Sequence, residues 1–374
     1  MELAIVKYIK EFGLDAAVSE FKVIVKDYPN KILLKYNQLD SPFNREEVRE
    51  CRGLILRKNT WEVISYSFYK FFNNGEPNAA KIDWNTARVL SKEDGSLITL
   101  SFDYLQNRWN SSTTGTAEGE SEVNNKPGTS FAKLFIETSL KYNFNYNTLD
   151  KDNIYMFELM SPYNVVVTPH TESKLVLLAV RHRPTLKEYS YDELKDISIK
   201  INIPLVESYD LNNINDVLNT LVDMPWSTEG YVLVDKDFNR IKIKNPAYVA
   251  CHHLKSKTAY YHIMEIIKSN EIDEYIATFP EREHEINKLK FNYEALIIGL
   301  NSIWDYLKDN HLPKDNTAEE KKRFALYLID LLDKQPNIKR FQGMYFSLAN
   351  GSLSSVRDYI KDYDNRELYN MLNK

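Results

Sequence analysis

The residues in this chain best suited to chemistry start at Ser91-Lys92-Glu93-Asp94-Gly95-Ser96, a polar run between Val89-Leu90 and the β-prone Leu97-Ile98-Thr99-Leu100-Ser101-Phe102. A lysine at a strand end, beside acids and a glycine, is placed to be a nucleophile. The same Asp94-Gly95 pair between two β-prone runs is also a hairpin signal, and taken alone that is the commoner meaning. Further along the chain come Arg52-Gly53 at a strand start, Lys70-Phe71-Phe72, Glu158 inside the apolar Phe157-Glu158-Leu159-Met160, Glu229-Gly230, and Arg240-Ile241-Lys242-Ile243-Lys244. In the last, strand alternation puts three cations on one face and two isoleucines on the other. A lysine amine has a reference pKa of about 10.4, so roughly one molecule in a few thousand is neutral at pH 7. Partial burial, neighbouring cations such as Lys242 and Lys244, and a bound divalent metal all favour the neutral form. A lysine attacking the α-phosphorus of a nucleotide needs cations on that phosphate and on the leaving pyrophosphate, and carboxylates for a metal. This chain supplies them all.

Other chemistries are poorly served. No G-x-x-x-x-G-K-[ST] occurs, and 11 glycines are too few for a phosphate-cradling loop, so any phosphates must be held by side-chain cations. Cys251-His252-His253 with His262 matches no common zinc spacing. Two cysteines, Cys51 and Cys251, are too few for a disulfide framework and suit a reducing cytoplasm. With 48 basic and 53 acidic residues the net charge is −5, so a nucleic-acid surface must be a local patch. No cleavable signal pattern and no apolar run long enough to span a membrane is expected, which describes a soluble intracellular protein without a membrane partner.

The elements that must position these residues follow strand-turn-strand grammar up to about residue 245. Leu3 to Asp27 reads as one or two helices. Strands follow at Leu33 to Leu39, Gly53 to Arg57, Val63 to Phe68, Leu97 to Phe102, Tyr155 to Met160, Asn164 to Val167 and Leu175 to Arg181. Helices are expected at Phe131 to Tyr142, Tyr191 to Lys200 and Asn213 to Leu221, and a hairpin joins Gly230–Val234 to Arg240–Lys244. From Lys255 the pattern turns helical: Ile286, Leu289, Tyr293, Leu296, Leu300, Ile303 and Leu307 recur every three or four residues. Further helices are expected at Thr317 to Lys334 and Ser354 to Leu372. The fold class is therefore α+β with mostly antiparallel strands over 1–250, followed by an all-α domain over 251–374. That second part carries 18 basic and 19 acidic residues, so any RNA contact there relies on shape and a few side chains.

The ordered set resembles the covalent nucleotidyltransferases, the superfamily of ATP-dependent ligases and capping enzymes, whose K-x-D-G motif is matched by Lys92-Glu93-Asp94-Gly95. It is most similar to the phage RNA ligase 1 family, the tRNA-repair type, through Glu50-Cys51-Arg52-Gly53, Lys70-Phe71-Phe72-Asn73, Phe157-Glu158, Glu229-Gly230-Tyr231-Val232, Lys242-Ile243-Lys244 and Tyr248-Val249-Ala250. The resemblance implies an antiparallel-sheet nucleotidyltransferase domain, with the helical part as a possible RNA-specificity module. It implies attack of Lys92 on ATP to leave a lysyl-AMP, transfer of AMP to an RNA 5′-phosphate, and sealing by an RNA 3′-hydroxyl. It implies Arg52, Glu93 and Gly95 at the nucleotide, Lys70 at its phosphates, Lys242 and Lys244 at the α-phosphate, and Glu158 and Glu229 at the ribose or at Mg²⁺ (or Mn²⁺). Phe71, Phe72 and Tyr248 are the candidate aromatic neighbours of the base. The implied partner is RNA with 5′-phosphate and 3′-hydroxyl ends, including nicked tRNA, handled by a monomer in the cytoplasm of an infected host if the chain is phage-encoded. One departure stands out: Thr113-Thr114-Gly115-Thr116 occupies the place of a basic residue before a glycine, leaving a phosphate contact missing or moved to Arg108. A DNA ligase or capping guanylyltransferase shares the lysine chemistry but usually adds a C-terminal barrel. A non-catalytic RNA-binding protein is the other alternative, against which the intact lysines and glutamates argue.

Overall fold

The computed structural model describes residues 2–254, 259–278, 280–315, 317–335 and 338–373, and it divides into two compact units, Met1–Lys255 and Ser256–Lys374.

The first unit contains three sheets. A four-stranded antiparallel sheet runs Val23–Asp27, Lys31–Tyr36, Arg52–Arg57, Val63–Ser65. A five-stranded one runs Lys187–Glu188, Lys174–His182, Asn153–Met160, Ser96–Asp103, Arg108–Ser112. The third runs Ser208–Tyr209, Arg88–Ser91, Gly230–Val234, Arg240–Lys244, Phe72–Asn73, and its last pair is parallel. Period-2 alternation decides what each sheet hides. In the second sheet Tyr155, Phe157 and Leu159 join Phe135 and Leu177 in one core, which leaves Met156 and Glu158 on the opposite face. In the third, Val89, Tyr231, Leu233, Ile241 and Ile243 pack on Val217 and Leu221 of the helix Ile214–Leu221. Leu90, Val232 and the cations of Arg240–Lys244 are left on the other face. These two leftover faces bound a cleft of about 550 Å³, to which the second sheet contributes Leu97, Glu158 and Leu178 and the third Leu90, Val232 and Arg240.

The Lys92 loop is not a hairpin. Ser91 pairs with Tyr231 in the third sheet, whereas Ser96 pairs with Leu159 in the second, so the chain crosses from one sheet to the other in four residues. Asp94 makes that crossing possible. Its buried carboxylate accepts from the Val167 and Thr168 amides at 3.1 and 2.6 Å and from the Tyr248 hydroxyl at 2.8 Å, and its carbonyl lies 2.7 Å from His170 Nε2. This goes with a difference from expectation: Asn164 to Val167 is a loop, in which the Asn164 amide donates to the Ser161 carbonyl and the Val167 amide to Asp94 rather than to a strand ladder. The Tyr248 bond holds the helix Pro246–Leu254 to the first unit.

At the N-terminus two helices, Ala4–Phe12 and Leu14–Phe21, end before the expected limit, and Val23–Asp27 pairs instead with Lys31–Tyr36. In the second unit the 28-residue helix Glu283–Asn310 buries Ile286, Leu289, Tyr293, Ile297, Leu300 and Leu307. Leu296 and Ile303 are only partly buried. The expected C-terminal helix is two, Val356–Asp362 and Asn365–Leu372, since the Asp364 carboxylate caps the second by accepting from the Glu367 amide at 2.9 Å. No helix among the described residues is long and apolar enough to cross a membrane.

Tyr248→Phe removes the hydroxyl that serves Asp94 and leaves a buried carboxylate oxygen without that donor. It is expected to lower the unfolding free energy of the first unit by about 1–3 kcal/mol, measured by urea denaturation against the parent chain.

Candidate active site

Lys92 follows directly on the strand Arg88–Ser91, and its amide donates to the Gly230 carbonyl at 2.9 Å, so its backbone is pinned to the strand opposite. From there its ammonium reaches Glu229 Oε2 at 2.7 Å. Lys244 Nζ lies 3.5 Å from the other oxygen of the same carboxylate. Glu229 is thus a buried acid with a cation on each oxygen. Strand alternation puts Lys242 on the face shared by Arg240 and Lys244, opposite Val232, which lines the cleft.

Glu158 stands on the facing sheet, across from Leu97, and both line the cleft. Burial pushes its carboxyl up to about 8. The nearby ammonium of Lys92 opposes that rise, the charge of Glu229 adds to it, and the Arg52 guanidinium opposes it again. At neutral pH and without a ligand, Glu158 therefore carries a proton. Gly95 permits this approach of loop to strand: a Cβ there would stand 2.6 Å from the Leu159 carbonyl oxygen and 3.1 Å from Glu158 Cγ.

Arg52 opens the strand Arg52–Arg57 and also lines the cleft. Its guanidinium carbon sits 5.6 Å from the Phe71 ring centre, and Nη1 is buried with no hydrogen-bond partner among the described residues. A buried guanidinium nitrogen without a partner is costly unless an incoming anion takes it up. Gly53 has φ +77° and lies where a Cβ would be 2.7 Å from Thr114 Cα, so the Thr113–Thr116 loop rests on the Arg52-Gly53 pair. Thr113, Thr114 and Gly115 line the cleft where a cation was expected. Arg108 does not replace it: it is exposed and bound to Gln106 and Glu118, at 2.9 and 3.1 Å.

The structure brings together Lys92, Glu93, Gly95, Glu158 and Arg52 in the cleft lining, with Glu229, Lys242 and Lys244 beside them. Three expected residues lie elsewhere. Of the adjacent phenylalanines only Phe71 lines this cleft; Phe72 is buried with its ring 6.1 Å from Phe43. Lys70, two residues before Phe72, shares its side of the chain and lies 5.4 Å from its ring, so both line a second cavity instead. Tyr248 is bound to Asp94 and does not line this cleft. Sequence reasoning missed Arg240 as a lining residue, although it is the first cation of the alternating strand. It also missed buried Glu188, which holds Arg240 at 2.5 Å and Arg181 at 2.7 Å. Burial pushes the Glu188 carboxyl up, but these two guanidiniums outweigh it and hold the group below its ordinary value. Arg181 is its cross-strand neighbour seven residues away, but Arg240 lies 52 residues further on, so no local pattern marks the pair of arginines that Glu188 joins. His252 and His253 lie outside the residues whose side chains are described, and no group of three or more metal-binding side chains occurs among the described residues. Glu158 and Glu229 remain as carboxylates that fit a hard cation such as Mg²⁺, which is held by one or two carboxylates together with substrate phosphates.

Because the Glu158 carboxyl is raised from 4.5 to about 8 in the folded chain, folding binds a proton throughout that window. The stability it contributes is complete below pH 4.5 and is lost as the pH rises towards 8. Glu158→Gln removes this loss. Thermal unfolding from pH 5 to 8 is expected to show the variant gaining on the parent by up to about 1.4 kcal/mol per pH unit.

A profile of the family described as RNA ligase matches residues 50–248, a span holding every residue of this site. The RNA ligase of Rhodothermus phage RM378 is 26% identical over 386 residues, covering 86% of this chain and 87% of its own. The putative bifunctional polynucleotide kinase/RNA ligase of Autographa californica nuclear polyhedrosis virus is 30% identical over 292 residues, covering 72% of this chain and 40% of its own. Among solved structures, an archaeal ATP-dependent RNA ligase aligns with 88% of this chain and 90% of its own at 12% identity and a TM-score of 0.47. With more than half its length matched by the family profile, this α+β chain with a helical C-terminal unit belongs to the RNA ligase family.

Proposed function

We propose that the protein seals RNA 5′-phosphate and 3′-hydroxyl ends with ATP, taking AMP onto Lys92 before passing it to RNA. The observation that carries this reading is the position of the Lys92 amine, 2.7 Å from buried Glu229 and beside a cleft that also holds Glu158 and the unpartnered Arg52.

An ammonium has no lone pair, so attack begins with loss of a proton, and Glu229 Oε2 is the acceptor within hydrogen-bond distance. The Lys92 nitrogen then bonds to the α-phosphorus of ATP, and the bond from that phosphorus to the bridging oxygen breaks, releasing pyrophosphate. Lys242 and Lys244 stand on the strand face where negative charge grows in the transition state. Arg52 Nη1 supplies a donor that no group among the described residues takes up. Mg²⁺ would be held by Glu158, Glu229 and the substrate phosphates and would supply further charge neutralisation. The Thr113-Thr114-Gly115 loop puts no cation at the cleft wall, so more of the phosphate charge falls to Arg52 and to the 242/244 pair. A cytoplasmic setting and nicked tRNA as the physiological substrate belong to this proposal.

Incubated with ATP and Mg²⁺, the parent chain is expected to gain one adenylyl group by intact-mass measurement, Lys92→Ala none, and GTP is not expected to substitute. An unmodified parent, or a Lys92→Ala chain labelled as fully as the parent, sinks the proposal. Parallel reactions with 5′-phosphorylated single-stranded RNA and DNA then test the preference for RNA.

A further inference from the structure

Beside the Lys92 cleft lies a second cavity of about 820 Å³, and the two share Phe71 and Arg240 in their walls. This is where the chain places Lys70 and Phe72. The cavity has five cationic residues, Arg49, Lys70, Arg181, Lys187 and Arg240, against two acidic ones, Glu188 and Asp237. Glu188 is already committed to Arg181 and Arg240. Arg49 and Lys70 make no ion pair among the described residues. Arg49 binds the Phe43 carbonyl and the Asn78 side chain, while Lys70 Nζ lies over the rings of Tyr36, Phe43 and Phe72 at 5.1, 5.2 and 5.4 Å. Arg181 is 7% exposed, yet its Nε has no hydrogen-bond partner among the described residues. Such a chamber holds surplus positive charge and an unsatisfied buried donor, both of which an anion would satisfy.

The walls say what kind of anion. Tyr69, Phe71 and Phe238 line the cavity with part of their rings exposed, and Phe238 adopts φ +61°, a left-handed conformation that a bulky residue rarely takes. Bare pyrophosphate is polar throughout and has no use for aromatic walls. A nucleotide joins a phosphate to a flat base, and cations with aromatic faces are the means by which proteins hold single-stranded RNA.

We propose that this cavity binds the 5′-phosphorylated terminal nucleotide of the RNA strand that receives AMP. The inference rests on the RNA-sealing reading above and adds where that strand sits. An oxygen of the RNA 5′-phosphate then approaches the AMP phosphorus past Arg240. A bond forms between that oxygen and the phosphorus, the phosphorus–nitrogen bond to Lys92 breaks, and the nitrogen keeps the bonding pair and takes a proton from solvent. Arg240 is held in place by Glu188 at 3.1 and 2.5 Å, and so presents a fixed positive charge between the two ligands.

The test separates RNA binding from nucleotide transfer. Binding of a fluorescent 5′-phosphorylated, 3′-blocked oligoribonucleotide is followed by anisotropy, and labelling of Lys92 by radioactive ATP is timed in the same preparations. Lys187→Glu changes an exposed residue at the cavity wall, and Arg49→Gln removes a cation within it. Each is expected to weaken RNA binding by roughly tenfold with a shallower salt dependence, while the rate of Lys92 labelling stays within twofold. Should Arg49→Gln fail to fold, Lys187→Glu decides alone. Unchanged RNA affinity, or labelling that falls in step with it, overturns the assignment; the second result would give the cavity to the ATP triphosphate. A parent chain that labels Lys92 but binds 5′-phosphate and 5′-hydroxyl strands equally sinks this inference alone, whereas a parent that takes no label sinks the adenylation reading first.

Discussion

Everything at this site depends on four residues crossing between two sheets without leaving buried backbone groups unpaired. A hairpin would have used the amides near Lys92 in a ladder and turned its side chain along a single sheet. Asp94 instead offers one carboxylate to two amides and the Tyr248 hydroxyl, stabilising a loop that no ladder supports. The consequence for function is positional. Lys92 leaves the third sheet beside Glu229, and Gly95 meets the second beside Glu158, so two carboxylates from different sheets face one amine.

That convergence creates an electrostatic problem, and the structure resolves it with a proton. Burial in a region of low dielectric makes a charged Glu158 costly, and the nearby charge of Glu229 adds to that cost. Glu229 has a lysine ammonium near each of its oxygens, and Glu158 takes the proton. Nucleotide phosphates would worsen this balance unless a divalent cation or the lysines of Arg240–Lys244 came with them. The ligand-free site is therefore tuned to accept a cation and an anion together rather than either alone.

Much of this was legible in the residues and some was not. The strand Arg240–Lys244 showed its two faces by alternation alone, and the long helix Glu283–Asn310 showed its buried stripe, with Ile297 in place of Leu296, because both signals are periodic. The pairing of Lys92 with Glu229 was legible only as membership in an ordered set of motifs, since no spacing rule links residues 137 positions apart. Three things escaped. Asp94 looked like a turn residue because its partners Val167, Thr168 and Tyr248 come from elsewhere in the chain. Phe72 looked like a cleft residue because adjacent aromatics cannot be assigned to sides until the strand's register is known. Glu188 drew no notice in the sequence, although two arginines pair with its buried carboxylate.

The Glu188 network matters beyond its own stability. A carboxylate shared by two guanidiniums is less screened by salt than an exposed pair and holds both partners in fixed geometry. Arg181 contacts the Leu186 and Ser67 carbonyls as well, so the network is anchored in the second sheet, while Arg240 belongs to the third. The shared wall between the two cavities is thus built from both sheets, and shifting one against the other would break a buried charged contact. A chain that must bring a nucleotide and a nucleic-acid end to one phosphorus gains from such a wall. It fixes the distance between two anionic ligands that would otherwise repel each other, and it keeps a positive charge where their phosphates must meet.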